Sequence, residues 1–271
     1  MTTKCYDISG LGVRFAGLSA ELAERFESPW SLFERPDLEQ VVLDARITVE
    51  GAAVPDGIIG AESMRTIFAG ASARFEMVGG KATIDDSGSF DVRLAPSGAA
   101  TQFIALLNLS LAGLAWRTSR GAGAILHSAA IVLDDRAVVL VGPSGSGKST
   151  WAQLATEAGA PSLGDDLVLL DGSRGRIEAL SNPIRRRFGS IGPGRWPLGA
   201  LLIPRHGSTA SLGPANSMLL AARIVGNLPW VGETLSPTLS AFVDELVARV
   251  PAYTLTFAKD ASFLKLLRDR L

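Results

Sequence analysis

Short alternating runs dominate the first third of the chain. Residues 41–49, 73–78, 82–85 and 89–94 each step between apolar and polar side chains. A period of two is the mark of a half-buried strand. Gly51, Gly79-Gly80 and Asp86-Ser87-Gly88 separate these runs, so the pattern predicts strands joined by turns. Residues 19–26 add a short helix. After Pro96-Ser97-Gly98 the period changes. Over residues 101–120, Phe103, Leu106, Leu107, Leu111 and Leu114 recur at three- and four-residue steps, predicting a helix packed on the sheet that follows. Gly121-Ala122-Gly123 ends it. A strand is predicted over 124–133, a turn at Asp134-Asp135-Arg136, and another strand entering a glycine-rich turn at 142. Further strands fall at 167–170, 177–180 and 200–204, with helices at 215–224 and 238–248. The expected architecture is α/β: a small β-rich domain over residues 1–97, then a core over residues 98–271 in which helices cover a mixed sheet.

Composition narrows the classes of function. The chain has 271 residues, 47% of them hydrophobic, enough for one large domain or two small ones. Its 26 basic and 27 acidic side chains nearly cancel, which predicts neither a nucleic-acid nor a membrane-surface partner. The most apolar stretch, residues 99–116, is interrupted by Thr101, Gln102, Asn108 and Ser110 and reads as a buried helix rather than a membrane span. A single cysteine, Cys5, excludes an internal disulfide and a cysteine zinc cluster, and fits a cytoplasmic protein. Only His127 and His206 are available to a histidine metal centre.

The chemistry concentrates at Gly142-Pro143-Ser144-Gly145-Ser146-Gly147-Lys148-Ser149-Thr150. Gly142, Gly147, Lys148 and Ser149 satisfy the phosphate-loop pattern, between an apolar strand and a helix-forming run from Trp151. Glycines let backbone N–H groups converge on phosphate oxygens, and the helix that follows turns its positive end to the same anion. Lys148 is placed to reach the outer phosphates and Ser149 to ligate Mg²⁺. Such a loop does not say what is done with the nucleotide. Asp165-Asp166 supplies two adjacent carboxylates, one for a metal and one for an acceptor hydroxyl; the bland alternative is an acid-rich turn. His127 sits in an otherwise apolar run, where a lone histidine is more often a core residue than a catalytic one. Trp151 reads as core. Arg185-Arg186-Arg187 is either a solvated loop or a phosphate clamp.

Taken together, His127, the loop from Gly142 to Ser149, and Asp165-Asp166 resemble the HPr serine kinase family in residue type and in spacing. The resemblance covers residues 122–171 and continues weakly at Val250-Pro251-Ala252-Tyr253-Thr254-Leu255. It implies a P-loop kinase core of the HPr kinase type that binds ATP and Mg²⁺. It also implies Asp166 as the base toward a serine hydroxyl, Asp165 and Ser149 near the metal, His127 in support, and an oligomeric assembly. The β-rich front half looks like that of HPr-kinase-related enzymes of peptide-modification clusters, including those that phosphorylate lasso-peptide precursors. Where HPr kinases carry Glu-x-Arg-Gly, this chain has Ser181-Asn182-Pro183-Ile184-Arg185-Arg186-Arg187-Phe188-Gly189, which points away from HPr itself as substrate. The leading expectation is therefore an ATP-dependent serine kinase acting on a peptide or small protein, with the N-terminal domain as a docking platform. A small-molecule hydroxyl kinase on the same scaffold and a nucleotide-sensing module without transfer are the alternatives.

Overall fold

The computed structural model describes residues 1–27, 29–57, 64–184, 191–229 and 235–270. The chain forms two compact units, one over residues 1–117 and the other over 118–229 and 236–271. Both are mixed α/β structures.

In the first unit β1 (Thr2–Ile8) and β2 (Leu11–Leu18) form a hairpin through Ser9-Gly10, both at positive φ. That is the turn whose twist suits two-residue hairpins. A one-turn helix α1 (Ala20–Glu24), capped by the Ser19 hydroxyl, and a 3-10 turn at Trp30–Phe33 lead to β3 (Leu43–Val49). Next come β4 (Arg65–Ala69), β5 (Ser72–Met77), β6 (Gly80–Asp85) and β7 (Ser89–Leu94). The seven strands run in the order β1-β2-β3-β7-β6-β5-β4, parallel only across β2–β3 and β3–β7. Tyr6, Phe15, Phe26 and Trp30 form one aromatic cluster, with ring centroids 4.9–6.1 Å apart.

The long helix α2 (Ala99–Ser119) differs from expectation in its partner. It packs on the sheet that precedes it. Phe103 meets Phe26 edge-on at 5.0 Å, and Gly113 lies so close to Phe90 and Leu43 that a Cβ there would come within 3.1–3.2 Å of them. The division of the chain accordingly follows this helix rather than Pro96-Ser97-Gly98. Every residue from Asn108 to Trp116 is buried, so no single stripe marks its contact face. By length and composition α2 passes for a membrane span, but 72% of its apolar window is buried, as in a core helix.

The second unit carries β8 (Gly123–Leu126), β9 (Ala129–Leu133), β10 (Arg136–Leu140), α3 (Lys148–Glu157), β11 (Ser162–Gly164), β12 (Val168–Asp171) and β13 (Glu178–Leu180). It continues with β14 (Arg195–His206), β15 (Ser211–Pro214), α4 (Ser217–Val225), α5 (Pro237–Arg249), β16 (Ala252–Phe257) and α6 (Phe263–Arg268). The strand predicted over 124–133 is two strands. Its first half pairs with β12 and its second with β10 and β11, so the chain changes neighbours at His127-Ser128. Asp134-Asp135, both at positive φ, closes the β9–β10 hairpin. The sheet runs β11-β9-β10-β14-β13-β12-β8, with β16 added to β14 and β15 to β16. Three strands are parallel, β10 to β14 and β14 to β16. Trp151 of α3 is wholly buried against this sheet among Leu140, Leu202 and Phe263, a core residue as its sequence context suggests.

Candidate functional site

The glycine-rich loop leaves the carboxyl end of β10 and enters α3. Two of its glycines are dictated by neighbours. At Gly142 a Cβ would come within 2.6 Å of both the Pro204 ring and the Ser146 Oγ. Gly147, the helix N-cap, has φ +91° and lies against Phe257 and His206. A left-handed residue pressed against a ring leaves room only for glycine.

Lys148 begins the helix and is buried, with its Nζ donating to the carbonyls of Gly142 at 2.7 Å and Pro143 at 3.1 Å. Burial lowers its pKa from the ordinary lysine value, against the upward pull of the Asp166 carboxylate. The Ser149 hydroxyl lies 3.5 Å from the Asp165 backbone carbonyl. The Ser146 Oγ is buried with no hydrogen-bond partner among the described residues.

Asp165-Asp166 follows β11 at the bend before β12. The two side chains differ in burial: Asp165 is 2% exposed, whereas Asp166 is only partly buried. His127, in the break between β8 and β9, places its Nδ1 3.2 Å from the Asp166 Oδ1. Its backbone is fixed from another direction, because His127 N donates to the Asn227 carbonyl at 2.7 Å after α4. The histidine is therefore no core residue. It stands where the sheet parts, with its side chain 42% exposed.

His127, Ser144, Gly145, Gly147, Lys148, Ser149, Thr150, Asp165 and Asp166 line one cavity of about 350 Å³. Of the loop residues, Gly142 and Ser146 do not line it. Arg185-Arg186-Arg187 falls outside the described residues. Two residues that the sequence pattern did not single out also shape the site. Asn182 is wholly buried and donates from Nδ2 to the Leu167 carbonyl at 3.1 Å, bracing the segment after the aspartate pair. His206 abuts the loop at Gly147. Asn182-Pro183 carried a turn signal that marks the first, while nothing local marks the second.

Among the described residues no three His, Cys, Asp or Glu side chains gather around one point. Mg²⁺ in phosphate sites takes one or two protein oxygens and completes its shell from phosphates and water. Ser149 and Asp165, side by side with oxygen donors only, fit that pattern.

No protein-family model matches the chain, and no curated protein sequence matches it. The class that fold and site define is a mixed α/β protein whose phosphate-loop motif opens on a histidine–carboxylate pair.

Proposed function

We propose that this protein is an ATP- and Mg²⁺-dependent kinase related to the HPr serine kinases, transferring the γ-phosphoryl group to a serine hydroxyl of a peptide or small protein. One observation carries the reading: the 3.2 Å pairing of His127 with Asp166 on the rim of a cavity whose floor holds Lys148 and Ser149. A protein that only senses nucleotide has no use for a carboxylate braced by histidine beside the outer phosphates. The Asp166 side chain is partly accessible, so an acceptor carried on a bulky chain can reach it.

The residues divide the work as follows. Lys148 and the loop N–H groups hold the phosphates and offset the charge that develops on them. Ser149 and Asp165 would hold Mg²⁺, which would supply charge neutralisation for the phosphates. Asp166 takes the proton of the serine hydroxyl as its oxygen bonds to the γ-phosphorus. The bond from that phosphorus to the bridging oxygen breaks at the same time, and ADP leaves with the electron pair. His127, with Nδ1 protonated, donates to Asp166 and fixes the direction of its remaining lone pairs. Little covalent work falls to the protein; positioning and charge lower the barrier.

The test is intact-mass spectrometry of candidate acceptors incubated with the protein, ATP and Mg²⁺: HPr, precursor peptides and hydroxyl-bearing metabolites. One phosphate mass gained on a peptide, and lost with Asp166→Asn, is the expected result. Transfer only to a metabolite would move the acceptor to small molecules. ATP binding with no transfer to any acceptor would leave a nucleotide sensor in place of a kinase.

A further inference from the structure

His206 has no part in the phosphate chemistry above, yet the fold brings it to the loop. β10, β14 and β16 are parallel neighbours, and all three end on the same side of the sheet. The first ends in the glycine-rich loop, the second in His206, the third in Phe257. Carboxyl ends of parallel strands are where open α/β sheets bind ligands. Alternate residues of a strand share a face, and on β14 these are Pro204 and His206. Pro204 bounds the loop at Gly142, and the His206 Cε1 would lie 3.4 Å from a Cβ on Gly147.

The imidazole is also supported from below. Trp151, Phe263, Phe257 and His206 form a continuous aromatic column with successive ring centroids 5.8, 5.9 and 6.3 Å apart. The first three rings are buried and the last is exposed. A flat ring braced by the core, with its outer side open to solvent beside a phosphate loop, is a platform for another flat ring.

The position of the carboxylates says which end of a nucleotide lies there. β10 has β9 on one side and β14 on the other. His127 and the aspartate pair belong to the β9 side, through the β8–β9 break and the end of β11. A polyphosphate lying along the loop with its transferring end at Asp166 leaves its nucleoside end toward β14. We propose that His206 is the base-stacking residue of the nucleotide site, taking the purine ring against its exposed face. The proposal rests on the nucleotide reading above and adds where the base is held.

Titration calorimetry with two probes, ATP and inorganic tripolyphosphate, each with Mg²⁺, tests it. His206→Ala is expected to weaken ATP binding about tenfold, in line with the loss of one base–aromatic stack, and to leave tripolyphosphate binding unchanged. His206→Phe should restore ATP binding, since it returns a flat ring without the imidazole nitrogens. Unchanged ATP affinity in His206→Ala would overturn the proposal. So would equal weakening of both probes, which would make His206 a prop for the loop. Unaltered protein that binds neither probe would bring down the nucleotide reading itself, and this inference with it.

Discussion

The single strand β14 ends in two clusters of charge that are built on opposite plans. At its start, Arg195 is held between Asp171, which it bonds through Nη2, and Glu178, 2.7 Å from its Nε. Arg176 adds a second cation to Glu178 at 2.8 Å. Burial pushes the Glu178 and Asp171 carboxyls up, but the hydrogen bonds from Arg195 outweigh it, with help from Arg176 on Glu178 and Ser173 on Asp171, and both end below the ordinary carboxylate range. At the other end, around the loop that β14 flanks, the buried cation Lys148 is bonded to two loop carbonyls, while Asp166 is paired with a half-exposed histidine. The first cluster matches opposite charges and closes on itself. The second bonds its cation to backbone carbonyls and pairs its carboxylate with a histidine, with both side chains on the wall of a cavity. Charge matched inside the protein contributes to the fold; charge left facing a cavity is matched by what enters it.

Substitution should separate the two. The largest effect is expected at Asp166→Asn. Phosphoryl transfer should fall by about 10²–10⁴-fold, the contribution of a positioned base, while ATP affinity measured by calorimetry stays nearly unchanged. Full transfer in this variant would remove Asp166 from the mechanism.

Arg195→Met should instead cost stability, by about 3–5 kcal/mol, because it takes from the buried Glu178 and the partly buried Asp171 the cation they share and leaves only Arg176 on Glu178. The pH dependence gives the sign. In the unaltered protein both carboxyls have lowered folded-state values, so their stabilisation is present above the unfolded values of 3.8 and 4.5 and is lost as pH falls through the folded ones. Without the guanidinium, protonation relieves the variant, so the gap in melting temperature between the two proteins should narrow below about pH 5. A gap that stays constant from pH 7 to pH 4 would mean that Arg195 acts through packing alone.

A smaller effect is expected at His127→Gln. As a positioning residue it should lower kcat by about tenfold, less than the roughly 10²–10⁴-fold of a group that itself takes the proton, with KM for ATP unchanged. A rise in KM for ATP with kcat intact would place His127 on the nucleotide instead.

How far these clusters could be read from the sequence follows from the range of the contacts that make them. The loop is local: strand, glycines, Lys148 and Ser149 lie within one short stretch, and the motif survives intact into the structure. The strand pattern of β3, β5, β6 and β7 was legible for the same reason, as was the Asp134-Asp135 turn. The β1–β2 hairpin had only Ser9-Gly10 to announce it, between strands broken up by Lys4, Asp7 and Arg14. The break at His127 is tertiary. An unbroken apolar run cannot show that its halves will pair with different strands. Nor could α2 show its partner, since its buried residues fall on every side. His206 reaches the loop only because β14 pairs with β10 and β16 across long separations in sequence, and no local pattern encodes that.

The smallest effect is also the one that divides the two plans most sharply, and it falls on Lys148. A buried ammonium whose pKa is lowered by desolvation is a cost to the folded state. Its folded-state value lies below the unfolded 10.5, so the folded protein holds this proton less tightly than the unfolded chain does. The cost is therefore fully present below the folded value and is relieved as pH rises through it toward 10.5. Methionine has similar length and no charge to desolvate, so Lys148→Met should raise stability at pH 7, by about 1 kcal/mol once the lost bonds to Gly142 and Pro143 are counted. The advantage should shrink as pH climbs toward 10, and binding of ATP and tripolyphosphate should be lost throughout. Thermal unfolding at the two pH values reads both signs. A methionine variant less stable than the unaltered protein at pH 7 would make Lys148 a clasp that holds the loop shut, closed on itself like Arg195, and the contrast between the two ends of β14 would fail.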